Sequence, residues 1–116
     1  MPPDGAINQA AASLRLLADP SRMKILWALA QSESNVICLA ELAGVSPTGV
    51  SQHLAKLRLA GLVTTRREGT FVFYSVGDRH VARLLVAAVD HADHDDPEVA
   101  LAIAALSDAT GRRTPR

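Results

Sequence analysis

Residues 44–76 read GVSPTGVSQHLAKLRLAGLVTTRREGTFVFYSV, and this stretch decides the fold. Ser46 stands where a helix N-cap belongs, with Pro47 at the first helical position. Val50, Leu54 and Leu57 recur at helical spacing, which marks one buried face. The opposite face carries Thr48, Ser51, Gln52, His53 and Lys56. These are hydrogen-bonding groups rather than the Glu/Lys mix of an ordinary solvated surface. Gly61 sits where a helix end needs a left-handed residue. Beyond it, residues 63–67 and 71–76 favour strands, and Glu68-Gly69-Thr70 reads as the turn between them. A polar-faced helix followed by a basic hairpin is the plan of a winged helix-turn-helix. The fold class expected is therefore mostly α with a β-hairpin wing.

Working outward, residues 36–43 read as a short helix ended by Gly44, which completes the helix-turn-helix. Residues 31–35 are polar and read as a loop. Asp19-Pro20 is a cap and first-position pair opening the second helix, which is expected to bury Met23, Leu26, Trp27 and Ala30 or their neighbours. Ile7, Ala10, Ala11, Leu14, Leu17 and Ala18 trace the stripe of a first helix. On the far side, Gly77-Asp78 closes the ribbon and opens a fifth helix with Val81, Leu84, Leu85, Ala88 and Ala92 along one stripe. The domain expected spans residues 6–96, preceded by a disordered segment over 1–5. Residues 97–116 should form a short sixth helix to about Ser107 and then a loose basic tail.

The 116 residues suit one domain with one core, aliphatic because aromatics make up only 3%. No apolar run approaches the roughly 20 residues of a membrane span. The first residues lack the basic and apolar regions of a signal peptide. A single cysteine, Cys38, fits a reducing cytoplasm, and on its apolar helix it is expected in the core. The net charge of zero hides an asymmetry: six Lys/Arg against two acids over residues 46–83, and five acids with no Lys or Arg over residues 90–98. A basic segment suits a polyanion and an acidic one suits a cation.

The helix in residues 47–59 has the size and polarity to enter a DNA major groove, where each base pair shows its own donor and acceptor pattern. Thr48, Ser51, Gln52 and His53 are the candidate readers. Lys56, Arg58, Arg66 and Arg67 are candidate phosphate contacts, which position without reading sequence. Three of the four histidines, His80, His91 and His94, fall in the fifth helix. His80 and His91 are about 16 Å apart along the axis. A metal–nitrogen bond is about 2 Å, so one ion cannot join them within one chain. Two copies of the helix packed antiparallel across a two-fold axis bring Asp78 and His80 of one toward His91 and His94 of the other, and the site occurs twice. Three imidazoles and a carboxylate suit a tetrahedral zinc or cobalt site. Asp93, Asp95 and Asp96 offer additional oxygens, and His80, Asp93 and His94 form a rival set. Asp78 is also placed simply to cap its helix.

Together, LADPSRMKIL (17–26), VSQHLAKLRLAGLV (50–63), RREGTFVFYSV (66–76) and the D-x-H and H-x-x-H pairs resemble the ArsR/SmtB family of bacterial metal-responsive repressors. The resemblance covers residues 10–96. It implies a homodimeric repressor whose apo form binds operator DNA and which a metal ion releases. It also implies Asp78, His80, His91 and His94 as ligands and Thr48, Ser51, Gln52 and His53 as helix contacts. The family's thiol pair in the third helix is absent, since residues 38–40 are Cys-Leu-Ala. Two other readings compete: a winged-helix regulator of the same fold that senses no metal at this helix, and a small zinc enzyme. The enzyme reading fails on chemistry, because a four-ligand site between helices leaves no open position on the metal.

Overall fold

The computed structural model describes residues 1–113, with side chains to residue 109. Its elements run α1 (Asp4–Leu17), α2 (Pro20–Gln31), α3 (Val36–Ala43), α4 (Pro47–Leu59), β1 (Val63–Glu68), β2 (Phe71–Val76), α5 (Arg79–Asp93) and α6 (Pro97–Arg113). Local chemistry sets most of these limits. Asp19, Asn35, Ser46 and Asp78 each cap the helix that follows by accepting a backbone N–H. Gly44 ends α3 at φ 67° and Gly61 follows α4 at φ 78°, conformations that a side chain would strain.

Two boundaries differ from expectation. The helix α1 begins at Asp4, inside the segment expected to be disordered; Asp4 in its first turn complements the helix dipole. At the other end α6 continues through Arg113 rather than stopping near Ser107, because the alanine-rich run carries no breaker before Gly111. Residues 114–116 of the expected tail lie outside the described residues.

The strands pair antiparallel in a register running from Val63 opposite Val76 to Glu68 opposite Phe71. Gly69, at φ 63°, and Thr70 make the two-residue turn. Residues 31–35 are more than a loop. Ser34 exchanges backbone bonds with Tyr74, 2.7 Å from the Tyr74 N–H and 3.1 Å back to its carbonyl, so the ribbon gains a short third bridge.

The core gathers Leu17, Ile25, Leu26, Leu29, Leu39, Val50, Leu54, Leu57, Val63, Val81 and Leu85. In α2 the buried stripe is Ile25, Leu26, Leu29 and Ala30, with Met23 and Trp27 half-buried at its edge. A smaller cluster of Ala30, Ala82 and Leu106 seats α6 on α2 and α5. Cys38 is exposed, contrary to expectation. The buried stripe of α3 is Leu39, Ala40 and Ala43, which turns the neighbouring Cys38 outward. Among the described residues no helix is long and apolar enough to cross a membrane.

Candidate nucleic-acid interface and metal centre

Three residues anchor α4: Val50, Leu54 and Leu57 are fully buried. Thr48, Ser51, Gln52 and Lys56 consequently face solvent from the other side. Ser46 Oγ accepts the Gly49 N–H at 3.1 Å, fixing the first turn. Gly49 suits a tight space: a Cβ there would lie 2.7 Å from Val45 Cγ1 and 3.2 Å from Ser46 Oγ, so one of those side chains would have to shift. The turn of the helix-turn-helix packs that closely against the start of the reading helix.

His53 differs from its neighbours. It is half-buried, and its Nδ1 lies 3.5 Å from Arg22 Nη1. Arg22 Nε also donates to the Leu16 carbonyl at 2.6 Å, so one guanidinium, carried by the first turn of α2, links the end of α1 to the flank of α4. Asp19 accepts the Arg22 backbone N–H at 2.9 Å. That bond first, and the nearby charges of Arg22 and His53, hold the Asp19 carboxyl below its ordinary range. The sequence singled out His53 as a reader, but its ring is directed at this corner.

The wing separates its two arginines. Arg66 donates to both Glu33 oxygens, at 3.0 and 2.6 Å, and to Glu68 Oε2 at 2.7 Å. Its guanidinium also lies 4.7 Å from the Phe73 ring centre. The bonds to Glu33 and then Glu68 hold the guanidinium still more firmly protonated than usual. Two carboxylates therefore already surround Arg66, whereas Arg67 is exposed on the other face of β1. Sequence reasoning placed both together as phosphate contacts. Glu33 carried no signal for this pairing, being 33 residues from Arg66.

Along α5 the apolar stripe is split. Val81, Ala82 and Leu85 are buried, while Leu84, Ala88 and Ala92 stay exposed. His80, His91 and His94 are exposed too. At about 100° per residue, His80, Leu84, His91 and His94 fall within about 80° of one another. The uncovered apolar face thus has imidazoles at both ends. Within one protomer no three His, Cys, Asp or Glu side chains among the described residues come close enough to hold a metal ion. Asp78 caps α5 through Oδ1, which accepts the N–H groups of His80 at 2.8 Å and Val81 at 3.4 Å. Both bonds fall on Oδ1, which leaves Oδ2 for another ligand. The rival set gains nothing in the single chain, and His94 Nε2 lies 3.5 Å from Asp95. Neutral imidazoles with a carboxylate form a donor set that suits a borderline metal ion, provided that a second copy supplies half of it.

Residues 19–65 match the family described as bacterial regulatory protein, arsR family. The chain is similar to the HTH-type transcriptional regulator KmtR of Mycobacterium tuberculosis, 45% identical over 84% of this chain and 75% of that protein. It is similar to the HTH-type transcriptional repressor SmtB of the same organism, 39% identical over 81% of this chain and 70% of that protein. Among solved structures it resembles a homodimeric winged helix-turn-helix DNA-binding domain of Mycobacterium bovis, described as a possible ArsR-family transcriptional regulator. The TM-score is 0.67 at 37% identity, covering 78% of this chain and 87% of that one.

Proposed function

The chain belongs to the arsR family of bacterial regulatory proteins and is a winged helix-turn-helix transcriptional regulator, not an enzyme; from this we propose that it is a cytoplasmic homodimeric repressor released from its operator by zinc, cobalt or nickel. The observation that carries the metal half is the exposed α5 face, where Leu84 and Ala88 lie between His80 and His91. An apolar face left uncovered within one protomer is suited to burial against a second copy. Exposed Ile7 and Leu14 on α1 favour the same assembly. Asp78 and His80 of one protomer, with His91 and His94 of its partner, would hold the ion. An ion held there would supply charge and a link between the two α5 helices. A coordinated imidazole also donates its second N–H outward, which provides a route for the link to be felt elsewhere. The competing reading, a regulator of this fold without sensing at α5, draws on the cap formed by Asp78.

The test is operator binding by fluorescence anisotropy at fixed salt, with each metal titrated into the complex. The wild type should be released, by a factor within the roughly 5- to 150-fold range usual for such coupling. His80→Ala and His91→Ala should stay bound. Release that persists in both variants would remove sensing from α5.

For the DNA face, Thr48, Ser51, Gln52 and Lys56 are the outward contacts of α4, and Arg67 is the phosphate contact of the wing. His53 and Arg66 take supporting roles. Removing one cation from a phosphate should flatten the dependence of log affinity on log salt by about 0.9. Arg67→Ala, counted twice in a dimer, should flatten it by about 1.8. Arg66→Ala should change it by less than half as much, because Glu33 and Glu68 already match that charge. Equal slopes for the two variants would return Arg66 to the interface.

A further inference from the structure

We infer that Arg22 and His53 form a positioning contact for the recognition helix, and that protonation of His53 breaks it and weakens operator binding. The inference rests on the reading that α4 enters the DNA groove.

A guanidinium has donors only. The Arg22 Nη1 to His53 Nδ1 contact at 3.5 Å is therefore a hydrogen bond only if Nδ1 accepts. As a hydrogen bond it takes a ring with a free lone pair on Nδ1 and its proton on Nε2. At this length the bond is weak. Its importance comes from the other end of the same rigid plane. Arg22 Nε is held at 2.6 Å by the Leu16 carbonyl, one of the carbonyls at the end of α1. A planar fork with two anchors fixes the separation between them. Here the separation is that between the C-terminal end of α1 and α4, whose polar stripe faces outward. His53 is adjacent to Gln52 in the chain, so a shift of the ring changes how α4 presents its reading face.

The sign follows from the charges around the ring. Arg22 faces the ring at Nδ1, and the Asp19 carboxylate, at the N-cap of α2, is near enough to feel the charges of both Arg22 and a protonated His53. Protonation puts an N–H on Nδ1, so a donor faces a donor and a cation faces a cation. The ring must turn away from Arg22, and Asp19 offers it an anionic alternative. A histidine that instead touched a DNA phosphate directly would gain attraction on protonation, and binding would strengthen. Direction alone separates the two roles.

The experiment uses the full-length protein, a fluorescein-labelled duplex selected by the wild type from a random pool at about pH 8, and a scrambled duplex of equal length. Recovery of a preferred duplex tests whether α4 reads sequence; the pH comparison that follows tests the Arg22–His53 contact. Anisotropy is measured at fixed salt between about pH 8 and about pH 5.5, where an ordinary histidine titrates. Circular dichroism at each pH confirms that the variants compared are folded. Wild-type affinity for the selected duplex should fall about three- to tenfold with acid, the range of one modest hydrogen bond, and more than for the scrambled duplex. His53→Asn keeps an acceptor and cannot titrate, so its affinity should vary by less than about twofold over the same interval. Arg22→Lys keeps the charge but loses the fork, and should likewise lose the wild-type pH response. Because His80, His91 and His94 are present in every variant, the difference between profiles belongs to His53. An affinity that rises with acid in the wild type alone would assign His53 to a phosphate. Parallel profiles for wild type and His53→Asn would show that the contact positions nothing. Either result overturns the inference.

Discussion

Leu54→Ala is expected to cost about 2–5 kcal/mol of folding stability, the range for truncating a buried leucine. Leu54 is fully buried, between Val50 and Leu57 on the anchoring face of α4, in a cluster shared with α2, α3 and β1. Alanine removes three carbon atoms from a packed interior whose neighbours cannot all collapse inward. The loss is both transfer energy and cavity. Folding stabilities lie at roughly 5–15 kcal/mol, so this one change removes a large part of the margin. Leu59 provides the control on the same helix. It is 93% exposed, and Leu59→Ala should alter stability by no more than about 0.5 kcal/mol. Urea unfolding at one protein concentration makes the comparison, since the proposed dimerisation would render the midpoint concentration-dependent. A cost for Leu54→Ala below about 1 kcal/mol would mean that α4 is not seated through this residue.

The contrast between Leu54 and Leu59 also shows what the chain discloses by itself. Helix limits were legible because their signals act within one turn. Asp19, Ser46 and Asp78 cap where they stand, Gly44 ends α3 as expected, and Gly61 adopts the left-handed conformation anticipated for it. The inward stripe of α4 followed from spacing alone. Contacts between distant segments left no such trace. The Arg66–Glu33 pair spans 33 residues and the Arg22–His53 contact 31. Both depend on how helices cross, which periodicity does not encode. Cys38 illustrates a narrower failure: on an eight-residue helix, one step along the chain rotates a side chain from buried to exposed. In α5 periodicity marked Leu84 and Ala88 as apolar, but not that their own protomer leaves them uncovered. On the proposed reading a second copy covers that face and completes the histidine arrangement, which no single protomer assembles among the described residues.

Asp78 is where these two levels meet, and one pair of substitutions separates its roles. Its Oδ1 caps α5 by accepting from His80 and Val81, a role any short side-chain oxygen can fill. The proposed role at the metal needs the negative charge instead. Asp78→Asn keeps an oxygen for the backbone and removes the charge. Asparagine ranks beside aspartate as an N-cap, so stability and metal-free operator binding should remain close to wild type. The metal concentration needed for release should rise on the order of tenfold or more, because a neutral amide replaces a carboxylate in the ligand set. Asp78→Ala removes both functions and should add about 1 kcal/mol of destabilisation to the same loss of response. Coupling is reciprocal, so a wild type released by metal must bind metal more weakly when operator is present, by the same factor. In Asp78→Asn that factor and the release should shrink together. Direct metal titration with and without the selected duplex measures it independently of anisotropy. Acidification should weaken metal binding in every variant, since the imidazoles must be neutral to ligate. If Asp78→Asn releases at the wild-type metal concentration, Asp78 is a cap alone. The ligand set would then move toward His80, Asp93 and His94.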